Sequence, residues 1–147
     1  MDQSNQELIR EDMMNRIREE SVAFVVKDLP GSLAQTAASY GVFFTATRPC
    51  YIKAITESHT TAGADAGAVS LEVERLTGTT APGSGTSLQS AVFDLKGTAN
   101  TTQYAGLRTG STLIAQTGLN MGDRLALKKT GTLTSLEGVQ VTVELRY

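Results

Sequence analysis

Val139-Gln140-Val141-Thr142-Val143-Glu144-Leu145-Arg146-Tyr147 closes the chain in strict alternation, with Val139, Val141, Val143 and Leu145 on one side and Gln140, Thr142, Glu144 and Arg146 on the other. Successive side chains of a strand point to opposite faces, so this stretch reads as a strand with one dry face and one wet face. Antiparallel sheets with a solvated side carry that signature. Upstream, Val69-Ser70-Leu71-Glu72-Val73-Glu74-Arg75-Leu76 repeats it, with Glu72 and Glu74 expected on the wet side.

Further strand-like runs of four to ten residues fall at Val22–Val26, Tyr40–Ala46, Cys50–Glu57, Leu88–Leu95 and Arg124–Lys128, and Leu107–Ala115 is a candidate for one more. The segments between them, Thr60–Gly67, Thr77–Ser87, Lys96–Thr102 and Thr130–Gly131, are rich in Gly, Thr, Ala and Ser and leave no room for helices. Short strands at this spacing predict a mainly β fold, an antiparallel β-sandwich of jelly-roll type. Pro30 and Pro49 sit at strand edges, where a missing donor does little harm.

The first 20 residues are a different material. All 14 glycines and all threonines lie after residue 30, whereas nine charged residues crowd into positions 1–20. Ser4-Asn5-Gln6-Glu7 has the form of a capping box and predicts a helix starting near Ser4. Ile9, Met13 and Ile17 then recur every four residues, flanked by Leu8 and Met14, as one narrow apolar stripe on a charged cylinder. A lone helix of about 15 residues is marginal in water, so the stripe wants a partner surface. That surface is the chain's own β-domain, a sister subunit, or another protein, and Leu8, Ile9, Met13, Met14 and Ile17 are the candidate partner-binding residues. The expected organisation is a helical arm over residues 1–20, a linker with the first strand over 21–38, and a β-sandwich over 39–147.

Charge and composition exclude several function classes. Six acids against three arginines give the arm −3, and the total of −2 leaves +1 for the remainder. Neither part has the basic stripe with stacking aromatics of a nucleic-acid module, and Trp is absent. No apolar run approaches the roughly 18 residues that span a bilayer, and the N-terminus lacks a signal-peptide pattern. No nucleic-acid or membrane partner is expected.

The residues that could carry chemistry form no recognisable frame. His59 is the only histidine, so no histidine pair can hold a metal, and no nucleophile elbow surrounds it; a hydrogen-bonded loop histidine is the expected role. Asp65, Asp94 and Asp123 match no calcium-loop spacing and read as turn caps. Gly78–Gly85 is followed by no GKS or GKT and reads as a flexible hairpin loop rather than a phosphate cradle. Cys50, the single cysteine, reads as a small buried hydrophobe. The expectation is a protein without catalytic residues, cofactor or metal.

The run Glu57–Val69 with Leu71–Thr79, and the closing block of Gly122-Asp123-Arg124-Leu125-Ala126-Leu127, Gly131-Thr132-Leu133 and Val139–Tyr147, resemble segments of small virion proteins of tailed bacteriophages. Together they cover roughly 40–147, and the resemblance is to head decoration, or cement, proteins built on a β-sandwich. It implies a non-enzymatic protein on the capsid surface of the virion, made in the host cytoplasm, that binds the major capsid protein and stabilises the assembled head, often as a homotrimer. The charged arm matches no part of that pattern. The other reading of the same residues is a jelly-roll receptor- or glycan-binding module of a fibre or spike, with the loops Thr60–Gly67 and Thr77–Ser87 holding the ligand.

Overall fold

A computed structural model describes residues 3–19, 22–29, 41–107 and 118–147, and for 14–19 and 22–29 it gives backbone path and strand register alone. The helix α1 (Gln3–Glu19) is followed after two residues by β1 (Val22–Leu29), then β2 (Val42–Thr45), β3 (Cys50–Ser58), β4 (Ser70–Leu76) and β5 (Thr86–Ser87). The order continues with β6 (Phe93–Asp94), β7 (Gln103–Tyr104), β8 (Gly118–Leu119), β9 (Arg124–Thr130) and β10 (Val139–Arg146). The candidate strand at Leu107–Ala115 lies outside the described residues after Leu107, which makes an isolated bridge to Gln89.

Two antiparallel sheets pack face to face, one ordered β1-β10-β3-β7 with β8 also on β3, the other β2-β9-β4-β5 with β6 also on β4. The pairings nest: β4 pairs with β5 and β6, β3 with β7 and β8, β2 with β9, and β1 with β10. This is one antiparallel ribbon, folded at the β4–β5 turn and rolled into a sandwich, which is the jelly-roll arrangement. The mainly β sandwich expected from alternation is therefore the fold.

Alternation also builds the core. Val139, Val141, Val143 and Leu145 of β10 face Leu71 and Val73 of β4 and Leu125 and Leu127 of β9 within a single buried cluster. In β3 the inward residues are Cys50, Ile52, Ile55 and Glu57, because a bulge opposite Glu144/Leu145 skips one residue and resets the period. Cys50 is buried as expected; burial pushes its thiol pKa up, Arg48 opposes that, and Asp123 adds to it. Leu133 and Leu136, in the connection before β10, complete the cluster from a stretch with no strand pattern.

Two expectations about strands need correcting. Leu88–Leu95 is not one strand: Leu88 donates to the Val73 carbonyl and Leu95 to that of Val69, but between them the Gln89 side chain takes the Val73 N–H at 2.5 Å. A side chain occupying the ladder site leaves only the two-residue strands β5 and β6 on β4. Glu74 is not on a wet face either, although its register partner Ala126 shares that outer side of the sheet; both are buried. The loop Thr77–Gly85 folds back over them, and the Glu74 carboxylate accepts the amides of Gly83 and, at 2.8 Å, Gly85. Arg124 holds the same loop by donating to the carbonyls of Gly78 and Thr80, both at 2.9 Å. A Cβ on Gly85 would lie 2.6 Å from Leu76 and 2.7 Å from the Arg75 carbonyl, so glycine permits this close cover.

Candidate functional site

The stripe of α1 is the first candidate surface. The helix begins at Gln3, within one residue of the expected start. Every side chain from Gln3 to Met13 is exposed, including Leu8 at 63%, Ile9 at 49% and Met13 at 57%. The side chains of Met14 and Ile17 lie outside the described residues. Only two residues separate α1 from β1, so the arm leaves the sandwich from the end of its edge strand.

β1 follows α1 in the chain. Among the described residues it is the terminal strand of its sheet, and its register places Val22, Phe24 and Val26 opposite Arg146, Glu144 and Thr142 of β10, the outward half of that strand. Ala23, Val25 and Leu29 stand opposite the inward Leu145, Val143 and Val139. Apolar residues thus occupy both register sets over Val22–Val26. The eight residues of β1 carry no proline, and their only charges are Lys27 and Asp28 near the end, so the sequence itself has few of the devices that blunt a strand edge.

Beyond β10, the same outer face carries exposed tyrosines. Tyr104, 77% exposed, lies opposite Thr56 in the β3–β7 pairing, and with Ala54, Thr142 and Glu144 it lines a shallow depression. Tyr51 is also exposed, further along β3. Glu144 meets Lys53 there at 2.9 Å.

The polar residues singled out from the sequence fall into separate structural roles. Asp123 accepts the Asn120 amide at 2.9 Å, and Asp94 accepts that of Lys96 at 2.9 Å, so both carboxylates hold turns as expected. The Asp65 backbone carbonyl, with that of Gly67, accepts from Lys96 Nζ. Among the described residues no group of three His, Cys, Asp or Glu side chains converges as a metal site. The loops Thr60–Gly67 and Thr77–Ser87 enter and leave β4 at its opposite ends, about 23 Å apart for a seven-residue strand, so they do not build one ligand site.

His59 is more deeply placed than a loop histidine. It is 1% exposed, and its Nδ1 lies 2.9 Å from Oε1 of Glu57, which is equally buried. Gln103 of β7 donates to the other Glu57 oxygen at 2.8 Å and to the Asp94 carbonyl at 2.7 Å, while its own carbonyl accepts the Asp94 amide. His59 Nε2 lies 3.2 Å from the Gly97 carbonyl, and the His59 carbonyl accepts from Asn100 N–H at 2.7 Å. Burial pushes the Glu57 carboxyl above the usual carboxylate range, against the pull of its bonds to His59 and Gln103. Sequence reading missed this cluster because Glu57 and His59 share a face across the end of a strand, and Gln103 reaches them only through the rolled ribbon. The inward position of Glu57 in a period-two strand was the one available signal.

No protein-family model matches the chain, and no curated protein matches it.

Proposed function

We propose that this chain is a structural virion protein, a decoration protein that binds the outside of an assembled phage head and stabilises it. The observation that carries the reading is the pairing of an uncovered apolar stripe, Leu8, Ile9 and Met13, with an adjoining edge strand apolar on both register sets. A rigid sandwich with such an arm is built to be joined to other chains, and copies arrayed on a lattice gain avidity from a small interface per copy. The major capsid protein and sister subunits, in a trimer, are the partners this reading assigns to arm and edge. The resemblance of 40–147 to cement proteins points the same way.

The test is solution mass measurement of the full chain and of a chain lacking Met1–Glu20, each followed by cosedimentation with empty phage heads. Full chain that oligomerises and pellets with heads, and truncated chain that stays folded but does neither, is the expected result. Equal assembly and equal head binding by both would overturn the role of the arm.

A second reading is favoured by Tyr104. An exposed ring beside Thr56, Thr142 and Glu144 offers a stacking surface with hydrogen-bonding groups, as a glycan-binding module requires. In that case the same experiment yields a chain that ignores heads, and retention on a glycan array is lost in Tyr104→Ala.

A further inference from the structure

His59 is the only histidine of the chain, and both of its ring nitrogens face acceptors, Glu57 Oε1 at 2.9 Å and the Gly97 carbonyl at 3.2 Å. A carbonyl can only accept, so a hydrogen bond there requires a proton on Nε2. A second proton must then lie between Nδ1 and Glu57. It sits either on Nδ1, facing an ionised carboxylate, or on the carboxyl, which donates to Nδ1. Both arrangements hold one proton more than the neutral imidazole and free carboxylate of an unfolded chain near neutral pH.

We propose that Glu57 and His59 form a buried proton-binding clasp, which takes up one proton on folding and fastens the two sheets together at the end of the sandwich while it holds it. The clasp spans the fold. Glu57 belongs to β3 in one sheet, Gln103 to β7 beside it, Asp94 to β6 in the other sheet, and Gly97 and Asn100 to the connection between β6 and β7.

No second charge competes for the proton among the described neighbours. Asp94 and Lys96 are exposed, the first turned to the Lys96 amide and the second to the carbonyls of Asp65 and Gly67. Asp65 is half-exposed in the β3–β4 connection. Glu137, before β10, is exposed and accepts from the Thr61 hydroxyl. From β10 the register places the apolar Val141 opposite Glu57.

The sign of the pH effect follows. A free glutamate releases its proton at about pH 4.3 and a free imidazole at about pH 6.5. Between these values the folded and unfolded pair hold equal numbers of protons. Above about pH 6.5 the unfolded pair holds one fewer, so the folded-to-unfolded ratio falls by up to tenfold per pH unit until the clasp releases its own proton. The upward displacement of the Glu57 carboxyl agrees: a group raised on folding favours the folded state at low pH and loses that contribution as pH rises through the raised value.

Glu57→Gln separates this from an ordinary buried hydrogen bond. The amide would donate to Nδ1 of a neutral His59 and accept from Gln103, reproducing the protonated pattern with nothing left to titrate. Urea unfolding of the untagged chain between about pH 6.5 and 8.5 should show a falling midpoint in the parent and a flat one in the variant. In the parent labelled with 15N-histidine, the single imidazole should carry its Nε2 proton at about pH 7.5. Equal pH slopes in the two proteins, or a folded parent with Nε2 bare and Nδ1 protonated at that pH, would overturn the clasp. Should Glu57→Gln fail to fold, the imidazole signals of the parent decide alone.

Discussion

β10 and β1 run side by side along their whole length, yet they treat their two faces in opposite ways. β10 alternates, with its valines and Leu145 buried and its polar residues outside. β1 has Val22, Phe24 and Val26 in the outward register and Ala23 and Val25 in the inward one. A strand like β10 is finished by its own sheet, with water as the partner of its second face. In β1 the register puts apolar residues in both sets, and the helix joined to it carries an apolar stripe that is exposed over Gln3–Met13. The body buries its apolar residues in its own core, and on the proposed function the N-terminal region makes its contacts with other chains.

Breaking the body should show in stability alone. Leu127→Ala removes a side chain 1% exposed at the centre of the cluster and should cost about 2–5 kcal/mol, read as a lower urea midpoint with unchanged helix content. Glu74→Gln is smaller. It exchanges a buried carboxylate that accepts two loop amides for a group with one accepting oxygen, and about 1–3 kcal/mol should be lost, with faster amide exchange at Gly83 and Gly85. Breaking the arm should leave stability almost alone. Exchanging Leu8, Ile9 and Met13 for serine should move the sandwich's midpoint by no more than about 0.5 kcal/mol while weakening oligomerisation and head binding. A large drop in that midpoint would mean that the stripe packs on its own sandwich, and the contrast between the two regions would dissolve.

The sandwich was legible because β10 buries one face along its whole length and leaves the other to water. Val139–Tyr147 and Arg124–Lys128 announce themselves by period alone, and β9 and β10 lie where that period puts them. What remained hidden depends on contacts between distant segments. Glu74 looks solvated until the β4–β5 loop closes over it, and Leu88–Leu95 looks continuous until Gln89 inserts its side chain into the ladder. The turn after β9 shows the same lesson: Gly131 takes φ +85° where a Cβ would lie 2.1 Å from the Ala68 carbonyl, a close approach imposed by the segment leading into β4. The arm was legible as an amphipathic helix, but a stripe of four or five apolar residues does not name what it touches. The Glu57–His59 pair was invisible because spacing of two residues on a strand carries no motif.

The nested pairing also orders events in time. β10 lies between β1 and β3, matching Val22 to Arg146 on one side and Tyr51 to the same residue on the other. Until β10 has been made, β1 and β3 lack the strand that joins them, and closure of so long a loop is slow compared with local structure formation. β1 precedes β10 in the chain, so its apolar residues wait without their sheet partner while β2 to β9 are made.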